Sequence, residues 1–193
     1  MDDTYIKVFE HCRLIIGMVV SLAVARLLNG LAKFVQHPKK IKVYSVHICW
    51  VLSLLLLIVH FWWWEFKLRE IHQWTFEAYA LVLLFAINFF LLCSLLFPDT
   101  MEEYSGYEHY FISRRRWFFG ILALNFAIDM IDTALKGAGH FYSLGVEYPI
   151  RNSIFVLLCI VAMVVPNFRF QIFFAIAALI YELSFIFRQF HIA

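Results

Sequence analysis

Six long stretches of this chain are too apolar to fold in water, and they constrain its fold more than any other feature. They lie at residues 10–35, 43–64, 74–97, 113–136, 150–166 and 168–190. A helix rising about 1.5 Å per residue needs about 20 residues to cross a hydrocarbon layer roughly 30 Å thick. The sequence therefore predicts an all-α bundle of about six transmembrane helices, forming a single integral membrane domain over residues 1–193.

The composition supports the same fold class. Hydrophobic residues make up 63% of the chain and charged residues 16%, and the mean hydropathy is +0.78. Soluble domains average about 45–50% apolar and about 25% charged residues. Six helices leave no room for a soluble catalytic domain, and a net charge of +2 does not indicate a nucleic acid partner. The lipid bilayer is the predicted partner.

Two alternatives to six unrelated spans stay open. The fifth stretch is short and ends at Pro166-Asn167, so a kinked helix or a re-entrant hairpin would leave five spans. The chain also resembles itself weakly, because Arg13–Gly17 aligns with Arg116–Gly120 and Arg26 then aligns with Asp129. Three helices per half would make this a 3+3 inverted repeat, as in many transporters.

Basic clusters near the span ends predict the orientation. Lysine and arginine favour the cytoplasmic side of short loops. Their numbers on the two sides are nearly equal, but the dense clusters lie on one side, at Lys39–Lys42 and Arg114–Arg116. Both termini are therefore predicted to lie outside.

Polar side chains inside the spans mark the candidate site, because an ionisable group in hydrocarbon costs at least ~2.5 kcal/mol unless it is paired or hydrated. The fourth span has the clearest pattern. At about 100° per residue, Asn125, Asp129, Asp132 and Lys136 fall within a sector of roughly 60°. This stripe should face protein or water. Asp132 and Lys136 are one turn apart, so they could also simply pair with each other.

The polar side chains of the spans also differ in their predicted depth in the membrane. With the termini outside, Asp129, Asp132, Glu77 and Glu182 lie in the outer half or near the middle of the membrane. Arg26 falls in the inner half, too far from Asp129 for contact. The predicted solute or ion pathway is lined by Asp129, Asp132, Asn125, Glu77, Glu182 and Arg26.

No catalytic residue or cofactor is predicted. HExxH, GxSxG, P-loop and GxGxxG motifs do not occur in the sequence. The four cysteines form no CxxC pair and are interpreted as packing residues. Outer-side imidazoles could bind a divalent cation or relay protons, and the weak metal candidates are His60 and His72.

Three motifs of the sequence are rich in aromatic and basic residues: F-E-H-C-R with S-L-A-V-A-R-L-L-N-G-L (9–31), W-V-L with H-F-W-W-W-E-F (50–66), and R-R-R-W-F-F (114–119). They resemble motifs of a family of small polytopic bacterial membrane proteins with no assigned activity. This resemblance implies a bacterial inner-membrane location. It identifies no catalytic residue, because the motifs are of the anchoring kind.

The leading functional hypothesis is a transporter or channel for a small cation, a proton or a polar solute, in which Asp129 holds the cation or accepts the proton. One alternative is an intramembrane enzyme acting on a lipid substrate. Another is a signalling or assembly subunit whose polar stripes dock partner helices. Because six helices form a small unit, a homo-oligomer is also predicted.

Overall fold

The all-α prediction is confirmed by a computed structural model, which describes residues 3–39, 42–65, 68 and 75–190. The described residues are helical apart from short connections and contain no strand. The helices are α1 (Asp3–Gln36), α2 (Ser45–Trp64), α3 (Phe76–Leu96), α4 (Tyr107–Leu135), α5 (Ala138–Ser143), α6 (Glu147–Val164) and α7 (Phe168–Phe190).

Six of these helices are long and apolar enough to cross a membrane, and only α5 is too short. Each of the six exposes large apolar side chains, among them Leu22, Leu52, Leu91, Leu124, Leu157 and Ile180. In water such surfaces would be costly, whereas in a bilayer they contact hydrocarbon. The chain is therefore an integral membrane protein. Val165–Asn167 separates α6 from α7, so the fifth and sixth apolar stretches form two helices, each long and apolar enough to cross a membrane.

The helix boundaries differ from the predicted spans mainly at the starts of α1, α4 and α6. α1 begins at Asp3, seven residues before its predicted span. α4 begins at Tyr107, six residues before the predicted span. Tyr107, Tyr110 and Phe111 are all buried, and this helical spacing continues the packed face of the span. α6 begins at Glu147, three residues before the predicted span, and α5 occupies part of a predicted loop.

Packing between the helices is different in the two halves of the chain. α1 packs mainly on α3 in the first half, whereas α4 packs mainly on α6 in the second half. α3 joins the halves by packing on α4, and α2 joins them by packing on α7. A duplicated half would repeat its packing, so the inverted repeat gains no support from this arrangement.

A layer of aromatic rings fills the interior on one side of the bundle centre. Trp50 meets Phe118, Phe119 and Phe174 edge to face, with ring centroids 5.2–5.4 Å apart. All four rings are buried. Such contacts add to the burial of apolar area, so this layer is a closely packed part of the core.

Candidate functional site

A small polar cavity lies inside the bundle, on the other side of its centre from the aromatic layer. Its lining residues lie in the half of the bundle nearer the N-terminal end, the end where α1 begins and α2 finishes. The cavity measures about 40 Å³. One water needs roughly 10–15 Å³ of such space, so the cavity has room for a few waters. Its polar lining residues come from four helices and are His60, Asn125, Asp129, Tyr148, Arg151 and Glu182.

His60 and Glu182 form a hydrogen-bonded pair in this cavity. The Nδ1 atom of His60 on α2 lies 2.5 Å from Oε1 of Glu182 on α7. The side chain of His60 is 11% exposed and that of Glu182 is 6% exposed. A short hydrogen bond between an imidazole and a carboxyl group can exchange a proton between two heavy atoms, and burial keeps it from competing waters.

Arg151 lies between the two carboxylates of the cavity. Its Nη1 atom is 3.9 Å from Oε2 of Glu182, and its Nη2 atom is 3.5 Å from Oδ2 of Asp129. Arg151 Nε also donates a hydrogen bond to the side chain of Asn152. The guanidinium packs against the ring of Phe185, with its Cζ atom 4.2 Å from the ring centroid. These contacts hold one permanent positive charge inside the bundle.

Asp129 is held by a set of donors from the start of α6. Its Oδ2 atom accepts hydrogen bonds from the hydroxyl of Tyr148 at 2.8 Å and the amide of Asn152 at 2.7 Å. Thr133 lies within hydrogen-bond distance of the same Tyr148 hydroxyl, at 2.7 Å. These partners offset part of the cost of burying a carboxylate, and they fix its position.

The charges of the cavity balance only when a proton is added. Arg151 contributes one guanidinium charge, and it faces the carboxylates of Asp129 and Glu182. With neutral His60, the site carries one net negative charge. When the His60–Glu182 pair takes up one proton, the site becomes neutral.

An amide pair continues the polar site towards the membrane centre. Asn88 on α3 donates hydrogen bonds to the side chain of Asn125 at 3.0 Å and to the carbonyl of Ile121 at 3.2 Å. Both amides are buried. Beyond them the interior is occupied by the aromatic layer.

A second ionic group lies nearer the N-terminal end of the bundle, formed by Glu65, Asp132 and Lys136. We name it the Lys136 cluster. The ammonium of Lys136 donates to Asp132 Oδ2 at 2.6 Å and to Glu65 Oε1 at 2.9 Å. Burial raises the pKa of Glu65 to about 8, while the ammonium of Lys136 lowers it and the carboxylate of Asp132 raises it. One ammonium compensates only one of the two carboxylates, so a proton on the cluster makes it neutral.

The six predicted pathway residues lie in four places. Asn125, Asp129 and Glu182 line the cavity together. Asp132 belongs to the neighbouring Lys136 cluster, where it pairs with Lys136. Glu77 is exposed at the start of α3. Arg26 lies at the opposite end of the bundle, where it pairs with Asp99.

The two weak metal candidates, His60 and His72, do not form a metal site within the described part of the chain. His60 bonds to Glu182 in the cavity, and His72 lies outside the described residues. Among the residues that the structure describes, no group of three His, Cys, Asp or Glu side chains is arranged to hold a metal ion.

Arg151, Tyr148 and Asn152 are site residues that the sequence reasoning missed. A predicted span beginning at residue 150 placed Tyr148 in a loop and made Arg151 a basic residue of the membrane surface. The buried residues of α6 are Tyr148, Arg151, Asn152, Phe155, Cys159 and Ala162. Their spacing of three and four residues is that of one helix face, and it extends the span to include these polar groups.

Comparison of this chain with protein-family models, with curated proteins and with solved structures found no match. The functional assignment therefore depends on the chemistry of the cavity alone.

Proposed function

We propose that this integral membrane protein is a transporter that moves protons through the polar cavity. The observation that carries the proposal is the His60–Glu182 hydrogen bond, which lies within two membrane-spanning helices and beside a permanently charged arginine. Ionisable side chains in such a position are costly to keep, and they commonly belong to ion pathways and proton relays.

A proton fits this cavity better than a metal cation does. Arg151 already lies within 4 Å of both carboxylates, so a metal cation would enter against its positive charge. A cation site also needs several converging oxygen ligands. A proton needs only one acceptor, and the His60–Glu182 pair supplies it.

Transport by changes of conformation fits better than an open channel. The cavity is small, and the rings of Trp50, Phe118, Phe119 and Phe174 occupy the interior between it and the opposite end. A proton that reaches the cavity from the N-terminal end can pass further only when this aromatic layer rearranges. Alternating access of this kind is common among secondary transporters.

The membrane, orientation and assembly are further parts of the proposal. We place the protein in a bacterial inner membrane, as a homo-oligomer with both termini outside. The basic residues at the opposite end, Lys33, Lys39, Lys42 and Arg114–Arg116, support the orientation. Cysteine variants at the exposed positions Glu102 and Tyr142 test it. An impermeant thiol reagent added outside cells should label only Tyr142→Cys.

The central experiment measures proton flux in liposomes. Purified protein is reconstituted around a pH-sensitive dye, and a potassium diffusion potential drives proton movement. We expect a change in internal pH faster than in empty liposomes. Glu182→Gln and Asp129→Asn should slow it several-fold, because each removes a carboxylate of the cavity. Replacing Na⁺ outside the liposomes by choline, with the K⁺ gradient and therefore the membrane potential unchanged, should not alter the flux.

Glu147→Gln is the matched control for these variants. Glu147 pairs with Arg188 at the bundle surface, and both side chains are about half exposed. This variant should keep the wild-type flux. Flux equal to that of empty liposomes, or undiminished flux in folded Glu182→Gln protein, would overturn the proposal. Folding of each variant is checked by helical circular dichroism and by elution as a single species.

A further inference from the structure

A deep apolar groove runs between α6 and α7 on the outside of the bundle. Its volume is about 340 Å³, and its walls include Ile154 and Leu158 from α6 and Phe174 and Ala178 from α7. α6 packs mainly on α4, and α7 packs mainly on α2, so these two helices make few contacts with each other. The small side chain of Ala178 adds depth to the space between them.

The groove opens onto lipid. Neighbouring side chains on the same two helices are large, apolar and exposed, including Ile150 and Leu157 on α6 and Phe173 and Ile180 on α7. Both helices are long and apolar enough to span the membrane. The groove is therefore continuous with the hydrocarbon-facing surface, and a chain of hydrocarbon can enter it sideways without leaving the bilayer.

Arg151 connects the groove with the polar cavity. It lines both of them, at the end of the groove nearest the N-terminal end of the bundle. The residue is 8% exposed, and its Nη1 group makes no hydrogen bond to any described residue. The carboxylate oxygen that it faces, Glu182 Oε2, lies 3.9 Å away, beyond hydrogen-bond distance. A buried donor that makes no hydrogen bond is costly, so an oxygen atom supplied from the groove would be bound favourably.

The charge around Arg151 favours a neutral acceptor. The carboxylates of Asp129 and Glu182 already lie beside the guanidinium, so an anionic head group would be repelled by both. At the mouth of the groove, Glu147 and Arg188 neutralise each other. An ester carbonyl of a glycerophospholipid offers an uncharged oxygen attached to a long apolar chain.

We propose that the α6–α7 groove binds a phospholipid of the surrounding bilayer, with one acyl chain along the groove and its ester carbonyl oxygen at the guanidinium of Arg151. From Arg151 to Leu158 the groove follows roughly 10 Å of helix, which accommodates the upper part of an acyl chain. The bound lipid closes the outer side of Arg151, next to the cavity. This site stands independently of proton transport.

Photolabelling tests the acyl-chain position. The full chain is reconstituted in vesicles of phosphatidylethanolamine and phosphatidylglycerol that contain a phosphatidylethanolamine with a diazirine in one acyl chain. After illumination, labelled peptides are mapped by mass spectrometry. We expect labels concentrated on α6 and α7 around Ile154 and Ala178. Labelling in proportion to exposure on all six spanning helices would overturn the proposal.

Two variants fill the groove from opposite walls, and a third is their control. Ala178→Phe and Leu158→Trp should each reduce labelling of the groove several-fold. Ala25→Phe adds the same bulk to an exposed position on α1 and should leave groove labelling unchanged. The second groove variant keeps the test decisive if the first does not fold. Undiminished labelling in a folded groove variant contradicts the proposal.

The carbonyl contact is tested with matched lipids. Native mass spectrometry compares retention of an ester-linked phosphatidylethanolamine with that of its ether-linked analogue, which lacks the carbonyl oxygen. The ester lipid should be retained several-fold more. Equal retention would overturn the assignment of the carbonyl to Arg151. Displacement of the ester lipid by an isoprenoid quinone at lower concentration would also overturn it, in favour of a quinone. None of these measurements depends on proton flux.

Discussion

The two ends of the bundle hold their charged side chains in different ways. At the N-terminal end, Lys136 and Asp132 are each 1% exposed, and they pair with each other. At the opposite end, Arg26 pairs with Asp99 while 33% of one side chain and 83% of the other stay exposed. His47, a buried imidazole at the opposite end, bonds to the backbone carbonyl of Leu96 and is surrounded by aromatic rings.

This difference shows which charges the fold depends on. An exposed pair contributes about 0–1 kcal/mol, because water replaces either partner at little cost. Removing one partner of a buried pair costs about 3–5 kcal/mol, because the other charge is left without compensation. Substitutions of charged residues at the N-terminal end should therefore lower the stability most. At the opposite end, only substitutions that disturb close packing should have a comparable effect.

Lys136→Met should have the largest effect on stability. It leaves the carboxylates of Glu65 and Asp132 buried together without their cation, at a cost of about 3–5 kcal/mol. Thermal unfolding in detergent should show a Tm lower by on the order of 10 °C. Adding Glu65→Gln and Asp132→Asn to this variant should restore much of the loss. An unchanged Tm in Lys136→Met would mean that the ammonium does not hold the cluster.

Gly30→Ala probes the packing of the opposite end and should have the next largest effect. A Cβ atom at Gly30 would lie 2.3 Å from the ring of Phe97, which is itself buried against His47 and Tyr107. Overpacking of this kind costs about 1–3 kcal/mol, measured as a lower Tm. Gly120→Ala is the control, because its Cβ would meet only Met163 Cε at 3.7 Å. Equal Tm values for the two variants would contradict close packing at Gly30.

The pH dependence of stability should come from the N-terminal end. We expect its effect on Tm to be smaller than that of Lys136→Met or Gly30→Ala. The pKa of Glu65 rises from an ordinary value of 4.5 to about 8, so the folded protein favours its protonated form. The folding stability that comes from this raised pKa is fully present below pH 4.5 and is lost as the pH rises through about 8. Charged groups near this carboxyl are Lys136, Asp132 and Asp129 on or next to α4 and Arg13 on α1.

Glu65→Gln should flatten the dependence of Tm on pH between pH 4.5 and about 8, because it removes this titration. Glu102→Gln, an exposed carboxyl at the opposite end, should leave the curve as in the wild type. A wild-type Tm that rises across this interval would show that another group dominates.

Arg26→Met should have the smallest effect. The exposed pair with Asp99 contributes about 0–1 kcal/mol, and one hydrogen bond to the carbonyl of Phe97 adds a similar amount. The expected fall in Tm is about 2–4 °C or less. A fall as large as that of Lys136→Met would remove the distinction between the two ends.

Local sequence patterns predicted the spans well and the candidate site in part. The stripe of Asn125, Asp129 and Asp132 was visible because one helix face carries polar residues at helical spacing. Glu182 was identified because an ionisable side chain within a membrane span is costly. Arg151 was missed because a cation near a span end also fits a membrane-surface position, and only its partners on α4 and α7 distinguish the two.

The sequence by itself determined that this chain is a membrane protein with six long apolar helices, because the cost of exposing long apolar stretches to water depends on local composition alone. It also determined which ionisable groups are costly in a span. The tertiary structure decided that His60, Arg151 and Glu182 share one cavity while Arg26 and Glu77 lie elsewhere. Those contacts depend on which helices are neighbours and how each is rotated, and no single helix encodes that.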